Sequence, residues 1–149
     1  MKYDEVCGDL FSRVEDKEVY FAHCISADFE LGLGIAVEFV HRFDTKYKLM
    51  KQYPDYLSRY KEENLGGDCL LVENVFNLIT KEHYWNKPTI DTMRLALLRL
   101  KDLCIEHNVK ELAMPRIGAG LDRLPWYNTS ELIQEIFKDT DIHITVYVK

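Results

Sequence analysis

No apolar run in this chain approaches the length of a membrane span, and the opening Met1-Lys2-Tyr3-Asp4-Glu5 lacks the apolar core of a signal peptide. Both absences point to a cytoplasmic protein without a membrane partner. Cysteine is sparse: Cys7, Cys24, Cys69 and Cys104 lie far apart, without the paired spacing of a zinc site, each within an apolar pattern. They read as buried small hydrophobes rather than as disulfides or metal ligands, and no metal or other cofactor is expected. There is no Gly-x-x-x-x-Gly-Lys run, which excludes a P-loop, and there are no repeats, low-complexity tracts or linkers. Basic charge is also short, 19 Lys and Arg against 25 Asp and Glu, a formal net charge of −6. Non-specific binding along a nucleic-acid backbone rests on neutralising phosphates, so this balance argues against it. A single phosphorylated small molecule remains compatible, since a local pocket can oppose the global charge.

What is present describes one domain spanning residues 1–149, with an ordinary globular mixture of 47% hydrophobic and 30% charged residues. Tyr3 to Cys7 and Val19 to Ile25 read as strands, separated by the polar stretch Ser12 to Glu18. Asp44 to Lys61 alternates aromatic and basic residues, as helix and loop, and Gly66-Gly67 ends it. Cys69 to Glu73 and Val75 to Thr80 suggest a hairpin turning near Asn74. Ile90, Met93, Leu97, Leu100 and Cys104 recur every three or four residues, which predicts a helix from Thr89, as N-cap, to Asn108. Glu111 to Met114 ends a further strand. The spacing of Asn128 to Glu131 resembles a capping box and predicts a second helix there, burying Leu132, Ile133, Ile136 and Phe137. Ile142, Ile144, Val146 and Val148 alternate with more polar residues, predicting a closing strand with one buried face. Strands alternating with helices imply an α/β fold whose sheet is covered on both faces.

Chemistry concentrates at Met114-Pro115-Arg116-Ile117-Gly118-Ala119-Gly120-Leu121-Asp122-Arg123-Leu124. A buried strand there empties into a glycine loop, Pro115 stops the ladder, and Gly118 and Gly120 can take positive φ, letting backbone N–H groups converge on an anion. Gly32-Leu33-Gly34 precedes the apolar helix opening Ile35-Ala36-Val37, a second glycine loop at a helix N-terminus. Lys81 sits where the strand Val75 to Thr80 leaves the core, at the rim where open α/β sheets bind ligands. It is either a solvated surface lysine or a partly desolvated amine able to attack a carbonyl-level carbon. Asp122 is either a turn aspartate or a proton shuttle. His23 and Cys24 are consecutive strand residues and face opposite ways, so they form no thiol-imidazole dyad. Trp85 and Trp126 read as partly buried packing residues.

Gly8-Asp9-Leu10-Phe11, Ala22-His23-Cys24-Ile25-Ser26, Gly32-Leu33-Gly34-Ile35-Ala36, Leu78-Ile79-Thr80-Lys81, Met114 to Leu124 with Trp126, and Asp141 to Tyr147 together resemble a macrodomain. Within that family they are similar to the terminal ADP-ribose protein glycohydrolase branch, which Lys81 and Gly120 to Leu124 separate from macrodomains that only bind. The resemblance implies a three-layer α/β/α fold with a mixed central sheet and an ADP-ribose cleft. It implies that Asp9 accepts from the adenine amino group with Leu10 alongside, that Tyr147 neighbours adenine, and that Ser26 contacts the distal ribose. Gly32, Gly34 and Ile35, and the loop Ile117, Gly118, Ala119, Gly120 and Leu121, would clasp the diphosphate, with Thr80, Pro115 and Arg116 also on the cleft. It implies attack by Lys81 on the anomeric carbon of an ADP-ribosyl glutamate or aspartate ester, release of the lysyl adduct assisted by Asp122, and O-acetyl-ADP-ribose as a side substrate. The partners would be ADP-ribose and mono-ADP-ribosylated proteins. Two alternatives stay open: hydrolysis of an ADP-ribosylated DNA base, and a reader that binds without turnover. A monomer is the default. Phe29-Glu30-Leu31, the bulky Leu33 and the elaborated Tyr47 to Lys61 depart from the family pattern and bear on substrate preference.

Overall fold

A computed structural model describes residues 1–149. Six strands, β1 (Lys2–Cys7), β2 (Val19–Ser26), β3 (Asp68–Val72), β4 (Val75–Lys81), β5 (Glu111–Pro115) and β6 (His143–Val148), form one sheet in the order β1-β6-β5-β2-β4-β3. All neighbours are parallel except the edge hairpin β3–β4, so the sheet is mixed. Helices α4 (Ile90–Glu106) and α5 (Trp126–Phe137) cover one face. The other carries a 3₁₀ turn (Leu10–Arg13) and helices α1 (Ile35–Phe43), α2 (Thr45–Gln52) and α3 (Tyr56–Glu62).

The two faces follow from the pleat. Along β2, Tyr20, Ala22 and Cys24 pack with α4 and α5, while Val19, Phe21 and Ile25 point to the α1 side. β4 is buried through Thr80, as expected for a parallel strand with helices on both sides. The largest apolar cluster joins α4 and α5 to the sheet, with Phe76, Met93, Leu97, Leu100, Met114 and Phe137 fully buried. Thr89 caps α4, its hydroxyl accepting from the N–H of Thr92 in a reciprocal box. The β3–β4 hairpin turns on Glu73, at φ 56°, and Asn74. No helix is long and apolar enough to cross a membrane.

Several expectations are corrected. Helix α5 begins at Trp126, two residues before Asn128, because Pro125 occupies the N-cap position and its carbonyl accepts from Asn128; no Asn128–Glu131 box forms. Leu132 and Ile136 are half-buried, and Ile133 and Phe137 carry the contact. The closing strand β6 is interior, flanked by β1 and β5, and Thr145 on its more polar side is buried as well. Cys7 is exposed and Cys24 half-buried, since each lies at the rim where its strand leaves the sheet; only Cys69 and Cys104 are buried. Trp85 is 63% exposed, whereas Trp126 is half-buried.

Candidate active site

The parallel strands end together on one edge, and the segments following β1, β2, β4, β5 and β6 gather there. A cleft of about 350 Å³ opens among Gly8, Asp9, Phe11, Pro115, Ala119, Gly120 and Tyr147, with Ile35, Glu38 and Arg116 on its walls. At one end Asp9 caps the 3₁₀ turn, its Oδ1 accepting from Phe11 N at 3.0 Å, while Leu10 is buried beneath. The backbone at Gly8 lies against the Tyr147 ring. Arg116 pairs with Glu5 at 3.6 Å and lies over the Trp126 ring.

Two glycine loops border this cleft. Gly34 stands at the N-cap of α1 with φ 62°, no side chain caps the helix, and no acceptor in the chain meets the N–H groups of Ile35 and Ala36. In the loop after β5, Gly118 has φ 75°, and the N–H groups of Gly118, Gly120 and Leu121 donate to nothing in the chain. The loops approach each other: a Cβ on Gly34 would stand 3.4 Å from Leu121 Cδ1. Such an array of free N–H donors with a helix N-terminus suits a phosphate. The positive φ expected at Gly120 is not observed; of the two glycines Gly118 alone adopts it, with Arg123 further along the loop, and Gly120 faces open space.

Beyond the loops lies a shielded lysine–aspartate pair. Lys81 Nζ meets Asp122 Oδ1 at 2.7 Å, with side chains only 14% and 16% exposed. Ser26 is in register with Lys81 on the neighbouring strand, is itself buried, and donates its hydroxyl to Asp28. Thr80 is buried, with its hydroxyl unpartnered. Thus Asp9, Leu10, Pro115, Arg116, Ala119, Gly120, Tyr147 and Ile35 line the cavity, while Lys81, Asp122, Ser26 and Thr80 lie outside its lining, connected through Gly120 to Asp122. Ile117 is buried as a support for its loop. Gly32, Gly34, Gly118 and Leu121 are not among the residues lining the cavity.

The neighbouring thiol and imidazole are not catalytic candidates. Burial holds the His23 imidazole down to about 4, its Nε2 meets Asn77 Oδ1 at 2.6 Å, and its ring stacks on Phe39 at 3.9 Å. Burial first, and then the Asp122 carboxylate, push the Cys24 thiol up, so it is no thiolate. No three His, Cys, Asp or Glu side chains converge as a metal site.

Two residues escaped the sequence reading. Glu38 lies one turn into α1, three residues after Ile35, a helical spacing that places both on the cleft. Asp28 accepts from Ser26 Oγ, Glu30 N and, at 3.0 Å, Tyr84 N, joining the segment after β2 to the turn after β4. The Ser-x-Asp spacing was a signal for the local turn but not for the long-range bond.

No family model matches the chain. The ADP-ribose glycohydrolase OARD1 of Homo sapiens is 38% identical over 146 residues, covering 95% of this chain and 88% of that protein. A DNA ADP-ribosyl glycohydrolase of Thermus aquaticus is 29% identical over 128 residues, 78% of this chain and 34% of that protein. Among solved structures, the macrodomain of Mycobacterium tuberculosis DarG superposes with a TM-score of 0.78 at 20% identity, covering 99% of this chain and 97% of that one. With the OARD1 identity running along nearly its whole length, on a mixed six-stranded sheet of the same fold, the chain belongs to the macrodomain family, in the part that holds the ADP-ribose glycohydrolase OARD1.

Proposed function

We propose that this protein is an ADP-ribosyl hydrolase that frees glutamate and aspartate side chains of mono-ADP-ribose through a covalent adduct on Lys81. The observation that carries this reading is the 2.7 Å contact of the Lys81 amine with Asp122, shielded from water, beside two loops of free backbone donors. The loops hold the diphosphate and so fix the distal ribose near the amine. Lys81 passes a proton to Asp122 and attacks the anomeric carbon; a C–N bond forms as the C–O bond to the acceptor breaks, and the carboxylate departs as a weak base. Asp122 returns its proton to solvent. Water then adds to the same carbon with Asp122 as base, the C–N bond breaks, and the proton passes from Asp122 to the departing amine. The sum is ester plus water giving ADP-ribose, carboxylate and one proton. O-acetyl-ADP-ribose offers another ester near this carbon and is a side substrate on the same grounds. A reader that only binds has no use for a shielded amine-carboxylate pair.

The test is Asp122→Ala incubated with an ADP-ribosyl glutamate peptide and examined by denaturing mass spectrometry. Without Asp122 the amine gives its proton to solvent and attacks more slowly, while release, which loses its base, slows more; protein carrying ADP-ribose therefore accumulates, and it is absent when Lys81→Ala is added. A folded Asp122→Ala protein that turns over normally would remove Asp122 from the mechanism. Free ADP-ribose at a hundred times its Kd should stabilise the parent by about 2.7 kcal/mol, and a folded sample unmoved by millimolar ligand would sink the reading.

A further inference from the structure

Asp28 lies just past the end of β2 and takes no part in the chemistry proposed above, yet both oxygens of its carboxylate are engaged. Oδ1 accepts from Ser26 Oγ and, at 3.2 Å, from Glu30 N; Oδ2 accepts from Tyr84 N at 3.0 Å. The first two bonds close a local turn. The third spans 56 residues of sequence and reaches the turn that follows β4, just beyond Lys81. The carboxylate bonds neither Lys81 Nζ nor Asp122, which are paired with each other.

The strand end that carries Lys81 lies where the sheet gives out on both sides. β3 pairs with β4 only as far as Ile79. On the other side the register of β2 slips: Ile25 stands opposite Ile79 and Ser26 opposite Lys81, so Thr80 has no partner there. A slip of this kind disrupts the ladder locally. Ala27 N still donates to Lys81 O at 2.9 Å, but β2 has ended by then. Packing does not anchor the turn beyond, since Tyr84 is 50% and Trp85 63% exposed. Polar contacts fasten it instead. Glu82 meets Lys61 at 3.7 Å, His83 N donates to Asn86 Oδ1, Lys87 Nζ donates to Leu121 O at 3.1 Å, and Tyr84 N donates to Asp28. The charged acceptor makes this last bond about twice as strong as a neutral one of the same kind.

The geometry points to Asp28 as a positioning residue: its carboxylate clamps the turn after β4 to the end of β2, and so aims the Lys81 amine at Asp122 and at the anomeric carbon. This rests on the Lys81 chemistry proposed above. The loops that hold the diphosphate are anchored separately. Phe29 and Leu31, which lead to the first, are buried in one cluster with Leu49, Tyr56 and Tyr60, and the second follows β5. Loss of the clamp therefore leaves the ligand seated and displaces the amine, and a misplacement of about 1 Å can cost about 10²-fold in rate.

The experiment measures kcat and KM on an ADP-ribosyl glutamate peptide, and affinity for free ADP-ribose, in Asp28→Ala, Asp28→Asn and Asp28→Glu. Asp28→Ala should lose about tenfold to a hundredfold in kcat, with KM and ADP-ribose affinity within about twofold of the parent. Asp28→Asn keeps the shape: its amide oxygen can accept from Tyr84 N while Nδ2 donates to Ser26 Oγ, so most of kcat should return. Asp28→Glu keeps the charge but moves the oxygens by one carbon–carbon bond, and should stay low. Parental kcat in Asp28→Ala, kcat and KM changed together, or Asp28→Glu outperforming Asp28→Asn would each overturn the inference. Should Asp28→Ala not fold, the ranking of the other two decides. A parent inert on the peptide refutes the lysine chemistry instead. Amide hydrogen exchange then decides the clamp: faster exchange from Lys81 to Asn86 in Asp28→Ala, reversed in Asp28→Asn, supports it, and a change confined to Tyr84 N, or none, overturns it.

Discussion

Two depressions lie at opposite ends of the parallel strands. The larger, about 510 Å³, sits where the chain enters β5 and β6, among Lys101, Cys104, Asn108, Lys110, Asp139 and Asp141. The smaller, about 350 Å³, sits where the strands leave the sheet. At the first, Lys101 is paired with Asp139 and Lys110 with Asp141, each at 2.9 Å, and the carboxyls of Asp139 and Asp141 are held below their usual range by those hydrogen bonds. At the second, the bordering loops leave backbone N–H groups at Ile35, Ala36, Gly118, Gly120 and Leu121 without an acceptor in the chain. Size therefore does not mark the site. Backbone N–H groups left open at a helix N-terminus and a glycine loop do, because a fold meets that cost only where something compensates it; positive φ does not, since Asn108 at the larger depression also has it.

The comparison breaks first at Lys81. Lys81→Ala should lower turnover of an ADP-ribosyl glutamate peptide by roughly 10³-fold or more while retaining free ADP-ribose affinity, since the amine acts on the reacting carbon and the loops hold the phosphates. Steady-state rates beside ligand titration check this. Parental turnover by the variant would reduce Lys81 to an ion-pair partner, and the end with unspent donors would then be a binding surface only.

A second test uses the imidazole under α1, the helix whose N-terminus carries the first glycine loop. His23 is neutral in the fold, held down to about 4 by burial, whereas an unfolded histidine takes its proton near 6.5. The unfolded chain therefore binds the extra proton between those values. Stability from this group is full above pH 6.5, falls as pH drops towards 4, and levels off below, a loss of order 3 kcal/mol. Asp139 and Asp141 at the other end, with depressed values, surrender their contribution only at still lower pH. Denaturant midpoints between pH 7 and 4.5 should thus decline in the parent and much less in His23→Gln. Parallel profiles would show that the cleft side is not the acid-sensitive one.

How far the sequence disclosed these two ends depends on distance along the chain. The strand ends at Ser26, Lys81 and Pro115 were legible because apolar runs stop there at polar, charged or proline residues. Helix α4 was legible from Met93, Leu97, Leu100 and Cys104. The meeting of Lys81 with Asp122 was implied only by the family resemblance and not by spacing, since 41 residues separate them and the strand order β5-β2-β4 brings their loops together. The α5 start was misplaced because Asn128 and Glu131 imitate a cap, whereas the observed N-cap residue is Pro125, which has no capping side chain. β6 was misjudged because alternation suggests one buried face, and only the sheet order makes it interior. Trp85, 63% exposed, departs from the packing role expected of it, because it lies on the turn after β4 beyond the edge of the sheet.

Two glycine substitutions sharpen the contrast between strained and open backbone within one loop. A Cβ at Gly118 would stand 2.8 Å from Met93 Cε and 3.1 Å from Leu124 Cδ1, at a φ of 75°. Gly118→Val should cost about 1–3 kcal/mol in stability and also weaken ADP-ribose binding. Gly120 meets nothing within 4 Å and lines the cavity, so Gly120→Val should leave stability nearly unchanged and weaken binding alone. Thermal unfolding with and without ADP-ribose separates the two. Equal destabilisation by both would show that the loop is held by its whole length rather than at Gly118.

The smallest effect belongs to the blind end. Lys101 and Asp139 have side chains 23% and 70% exposed, and a pair so accessible to water contributes little to stability. Lys101→Met and Asp139→Asn should each leave stability nearly unchanged, and any shift should shrink further in 1 M salt, where the Debye length falls to about 3 Å. Neither should change ADP-ribose affinity or turnover, because each carboxylate already occupies the cation beside it. The double variant should equal the sum of the singles to within the small pair energy. If instead Lys101→Met lowered affinity for ADP-ribose or another phosphate ligand, the lysine would be available to bind, and the larger depression would have to count as a site.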